Sequence, residues 1–177
     1  MPVSDPLPSG CEATTMHTRT TAQRTNDQAA RRRVAVVLAT GLLIVTAFQA
    51  ALTFGAPFGA AALGGKNPGQ LPDALRLVTG FSAFVWLFAT LLVLARGGRA
   101  LAPLPEGLVR VGTWVLVGLL GLGALMNFAS SSPWERFGWG PFTLVMFTLC
   151  VVLARSGRPD HPSPQAGQVD HQPNPPR

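Results

Sequence analysis

Four long apolar stretches, residues 34–54, 75–95, 108–128 and 137–154, dominate this chain, and charge enters them only at Arg76 and Arg110, near the starts of the second and third. A helix rises about 1.5 Å per residue, so about 20 residues cross a hydrocarbon core of roughly 30 Å. Each stretch is long enough to cross once. Inside lipid the backbone N–H and C=O groups have no water to bond, which leaves the helix as the spanning form for such segments. The expected fold is therefore an all-α membrane protein, a bundle of four transmembrane helices. Of 177 residues 47% are hydrophobic and 12% charged, an apolar balance for a soluble domain.

The ends of the stretches carry helix punctuation. Pro72 and Asp73 precede the second, and Arg96, Gly97 and Gly98 close it; Arg155, Gly157 and Pro159 close the fourth. Ahead of the fourth stands the sequence SPWE. Here Ser132 reads as the cap, Pro133 as the first helical residue and Glu135 as the acid that reaches back in a capping box. That reading extends the fourth span to 133–154 and puts Pro141 inside it, where the missing N–H predicts a kink. In the third span Gly118, Gly121 and Ala124 recur at three-residue spacing, a small-residue stripe for close helix packing within the chain or against a second copy.

Basic residues set the orientation. Eleven of the fourteen (Arg19, Arg24, Arg31, Arg32, Arg33, Arg96, Arg99, Arg110, Arg155, Arg158 and Arg177) flank one side, against Lys66, Arg76 and Arg136 on the other. The positive-inside rule then places both termini in the cytoplasm. Residues 1–33 and 156–177 are rich in Pro, Ser, Thr, Gln and Asn, and read as disordered cytoplasmic tails around a membrane domain of 34–155. Met16 is an alternative start. The first span is longer than a signal-peptide core and lacks a small-residue cleavage site, so it is expected to remain as a helix.

The two halves resemble each other weakly. RVAVVLATGLL from Arg33 aligns with RVGTWVLVGLL from Arg110, and LVLARGGR at the end of the second span with VVLARSGR at the end of the fourth. Two hairpins of the same orientation form a parallel repeat about an axis along the membrane normal.

Several function classes are disfavoured. Cys11 and Cys150 form neither a disulfide framework nor a metal set, and His17, His161 and His171 all lie outside the spans. No Asp, Glu, Lys, Arg or His occupies the centre of a span, which argues against a proton-coupled pump. Small multidrug-resistance transporters rely on a Glu in their first helix, where this chain offers Thr40, Thr46 and Gln49. Quinone-linked thiol oxidases need cysteine pairs on the opposite side. There is no phosphate-binding glycine loop and no nucleophile elbow. No catalytic residue, cofactor or metal is expected, and no nucleic-acid partner; the partners expected are the lipid bilayer and a second copy or another membrane protein.

The distinctive chemistry lies in the two outer connections. Residues 54–73 hold five Gly and three Pro among apolar residues, with Pro57, Gly64, Gly65, Lys66 and Pro68 shaping a loop that folds back on the interface. Residues 127–141 bring Asn127, Ser132, Glu135 and Arg136 close in sequence, together with Trp134 and Trp139. One account makes the tryptophans interfacial anchors and Glu135 a cap. The other joins Asn127, Ser132, Glu135 and Arg136 into an outer-face polar site beneath the glycine-rich loop.

With GAPFG, GGKNPGQLPDALR and MNFASSSPWERFGWGP, the chain resembles small four-helix membrane proteins of actinobacterial type, a group without known activity. The resemblance implies fold and plasma-membrane location, not a reaction. The leading expectation is a non-enzymatic interaction or accessory protein working through its extracytoplasmic loops. The alternative is a small homodimeric transporter or channel for a weakly polar solute, and a lipid-modifying enzyme using Glu135 ranks third because one interfacial acid is ordinarily insufficient for acid–base chemistry.

Overall fold

The computed structural model describes residues 10–99 and 104–156, with side chains from residue 23 onward. Among them the chain is helical, without strands: α1 Gly10–Thr53, α2 Asp73–Arg96, α3 Glu106–Ala129 and α4 Gly140–Arg155. Four helical segments are long and apolar enough to cross a membrane, the first within Gln23–Thr53 and the fourth, Glu135–Arg155, including the turn that leads into α4. Side chains such as Val37, Ile44, Phe81, Phe84, Leu122 and Leu125 point away from the bundle. A continuous apolar exterior of this kind is stable only where lipid replaces water.

The helices pair as sequential hairpins. α1 lies along α2 and α3 along α4, and the two hairpins meet through the α2–α3 and α1–α4 contacts, an arrangement compatible with the weak repeat. At the end where α2 and α4 terminate, Ala35, Leu38, Val93, Leu116, Cys150 and Leu153 form a closed core. Two arginines tie that end together. Arg31 donates to the Arg96 carbonyl at the end of α2, and Arg96 donates to Ala154 O at 2.8 Å and Ser156 O at 3.1 Å at the end of α4. Each guanidinium thus satisfies carbonyls left orphaned by a helix C-terminus and favours its negative dipole end.

Upstream of its apolar span, α1 runs back to Gly10 without a break. A membrane span supplies the costly helix nucleus, and Ala, Arg and Gln propagate it; burial of Arg31 then fixes the last turns before the span. The expected disorder of 1–9 and 157–177 lies outside the described residues.

The opposite end is organised by the α1–α2 connection. Leu52, Ala62 and Leu71 form a small second core, with Phe48 and Leu75 packed against it. The Gly59 N–H donates to Gly69 O at 2.9 Å and closes the loop on itself, as in compact Ω-loops. Arg76 Nε donates to Thr53 O at 2.8 Å, capping the end of α1.

Helix α4 has a modified entry. Residues 133–134 begin the helix, Glu135–Trp139 form a π-helical turn in which the Gly140 N–H reaches Glu135 O, and the α-helix follows. Pro141 lacks an N–H, and its ring would strike the carbonyl of residue 137 in a regular helix. The wide turn just before it relieves that clash, so a π-turn marks the predicted irregularity.

Candidate functional site

Above the closed core the hairpins separate. They border a half-open cavity of about 530 Å³ between α1, α3 and α4, with Trp86 of α2 on its wall and residues 61–64 of the 54–72 loop over it as a roof. Its deep part is apolar, with Leu42, Leu120 and Met146 at the bottom. Its upper part carries Gln49, Asn127, Ser130, Ser131, Glu135 and Thr143. On α3 these levels are separated by the step from Leu120 to Asn127, or about 10 Å at 1.5 Å per residue.

The roof is fastened to α4 and the turn before it. Glu135 is 7% exposed and its Oε1 accepts the Gly64 N–H at 3.0 Å. Ser131 Oγ donates to Gly64 O at 3.3 Å, and Ser132 Oγ to Ala60 O at 2.8 Å. The capping box expected from SPWE is therefore not formed. Ser132 and Glu135 stand where the motif places them at the helix entry, but both side chains turn across to the loop, and the Ser132 N–H donates to Ser130 Oγ instead. The loop's backbone groups need partners once they are buried against the bundle, and these two side chains are within reach.

The strand of loop they hold is a tight turn. Leu63 and Gly64 both have positive φ, +53° and +79°, and the Gly65 N–H donates to Ala62 O at 3.0 Å, the pattern of a type I′ turn. Gly64 suits its position; Leu63 occupies a left-handed conformation that costs roughly 1–2 kcal/mol for an L-residue. Leu63 lines the cavity, and strain of this type is retained where surrounding structure enforces it. Gly65 is needed for closeness: a Cβ there would lie 2.9 Å from Ser132 Cβ and 3.0 Å from Ala60 O.

The remaining candidates divide between site and surface. Asn127 lines the cavity and its Nδ2 donates to Thr143 Oγ1 at 3.3 Å. Arg136, adjacent to Glu135, is exposed and does not line the cavity, so the four-residue polar group does not converge. Pro57, Lys66 and Pro68 are exposed on the loop. Trp134 is 68% exposed, on the outside of the bundle. Trp139 is instead a cavity wall, its ring centroid 4.8 Å from Phe48 and 5.6 Å from Phe142. On α3, Gly121 lies against Phe147 and Ala124 is buried, whereas Gly118 faces outward with no neighbour.

Sequence reasoning missed Gln49, Phe48, Phe142 and Leu63. A partial signal existed for the first: Gln49 is the one amide in an otherwise apolar span. Among the described residues no group of three His, Cys, Asp or Glu side chains is placed to hold a metal.

Comparison with protein-family models, with curated proteins and with solved structures gives no match. The geometry alone defines the class, a four-helix membrane-spanning protein with a roofed cavity between its two hairpins.

Proposed function

We propose that this chain is a non-enzymatic binding protein of a bacterial plasma membrane, of the actinobacterial four-helix type, that holds an amphipathic molecule in the cavity between its hairpins. Both termini are cytoplasmic and the roofed end is extracytoplasmic. The observation that carries the reading is the cavity's polarity: an apolar floor between α1, α3 and α4 rises to a polar rim beneath a hydrogen-bonded loop. A volume of about 530 Å³ lies in the range that holds one small organic ligand. The polar groups favour binding over catalysis, since Ser131, Ser132 and Glu135 are each engaged in holding the roof. The loops anticipated as the working surface thus act as the cover of a site rather than as a flat docking face.

The test is photolabelling of the full chain in phosphatidylcholine vesicles with a medium-chain alcohol carrying a diazirine near its methyl end. Labelled peptides should map to the floor, at Leu42, Leu120 and Met146. Labelling spread over the outward side chains Ile44, Phe84 and Leu125, with the floor unlabelled, would remove the reading.

A further inference from the structure

One acid at the polar end of this cavity lacks a charge partner. Glu135 is nearly buried, and the hydrogen bond it makes is to one backbone N–H, Gly64, through Oε1. No described cation pairs with it: Lys66 and Arg136 are exposed, and the ion pair at this end of the bundle joins Arg76 to Asp73. The nearby donors Ser131, Ser132 and Asn127 Nδ2 bond the Gly64 and Ala60 carbonyls and Thr143 instead. A buried carboxylate without a cation carries a desolvation penalty that a cationic ligand removes.

Resting on the amphiphile reading above, we propose that the ligand is a single-chain amphiphile with a cationic ammonium head, bound by Glu135 with its chain directed to Leu42, Leu120 and Met146. The head meets the Glu135 carboxylate, an acceptor suited to a positive charge. The Trp139 ring, 4.8 Å from Phe48 and 5.6 Å from Phe142 along the wall, belongs to a row of aromatic faces that attract an alkylammonium. An anionic head would face the carboxylate without a paired cation, and the same wall excludes it.

The experiment uses a chain with Trp114→Phe and Trp134→Phe, so that Trp86 and Trp139, both on the cavity wall, report binding. Three probes share one brominated medium-length alkyl chain and differ in head: trimethylammonium, hydroxyl and sulfate. Each is titrated into phosphatidylcholine vesicles holding the protein, and quenching is compared with Trp139→Phe. The ammonium probe should bind about tenfold more tightly than the alcohol, equivalent to about 1.4 kcal/mol, and the sulfate most weakly. Glu135→Gln preserves an acceptor for the Gly64 N–H and should bring ammonium and alcohol to equal affinity. Equal binding of the three heads by the parent chain overturns the proposal with no reliance on the variant, as does a preference that survives Glu135→Gln. No saturable quenching by any probe instead removes the cavity reading itself, a separate failure. Competition by lysophosphatidylethanolamine added to the vesicles identifies the amine as a single-chain lipid headgroup; retained binding in its presence identifies a free amphiphile of the same chemistry.

Discussion

Replacing Gly59 by Ala tests whether the cavity roof is a closed, self-supporting loop. Gly59 is buried, its N–H donates to Gly69 O, and a Cβ at that position would lie 2.0 Å from Asn67 O and 2.8 Å from Gly69 O. Both obstructing atoms are backbone, so no side-chain rotation relieves the overlap. Overpacking costs about 1–3 kcal/mol and the lost hydrogen bond about 0.5–1.5 kcal/mol, a sum of roughly 2–4 kcal/mol that raises loop opening by roughly 30- to 1,000-fold. Amide exchange read by mass spectrometry on peptides covering 58–72 measures this directly. The amides of Ala61, Ala62, Gly64 and Gly65, all bonded in the closed loop, should lose protection, while α3 retains its protection because its bonds are internal to the helix. A variant whose loop amides exchange at the parent rate would refute the closed-loop account, and with it the assignment of the loop as a roof.

Leu63→Asn places a residue that tolerates left-handed φ in the strained turn; the Gly65 amide should exchange more slowly, by about fivefold for roughly 1 kcal/mol, and faster exchange would contradict the strain argument. Arg96→Met keeps the packed stem but removes the donors to Ala154 O and Ser156 O; hydrogen bonds from a charged group contribute about 1.5–3 kcal/mol, so the midpoint of denaturant unfolding in micelles should fall, and an unchanged midpoint would show that the arginine tie is dispensable. Trp139→Ala should widen the cavity and destabilise the chain by about 3–5 kcal/mol, whereas Trp134→Ala, on the outside, should alter unfolding little. For orientation, Lys66→Cys in a Cys11→Ser background should react with a membrane-impermeant maleimide on intact cells and Arg155→Cys should not; the reverse pattern would invert the topology.

The spans of α2 and α3 were legible to within two residues at each end, because the length of an apolar run and the charges bounding it are local quantities. The start of the fourth helix at Pro133 was legible through its proline. In the first helix the apolar span was legible, while the polar residues upstream of it carry no hydrophobic period from which a helix start could be read. Glu135 and Ser132 show the other limit. Their spacing fits a capping box, yet both bond a loop some seventy residues earlier, a choice made only when α1 and α4 bring that loop over the helix entry.

Trp134 and Trp139 make the same point within a single turn. Composition marks both as interfacial aromatics, but the direction of each ring follows from the π-helical turn and from Phe48 on another helix. By itself the sequence determined that the chain spans a membrane four times, since transfer of apolar side chains into lipid depends on each segment alone. The tertiary structure decided that the hairpins part above a packed core, that a glycine-rich loop roofs the gap, and that Glu135 and Gln49 face into it. Those outcomes depend on packing and hydrogen bonding between segments far apart in the chain, where several partners compete for each group and geometry selects one.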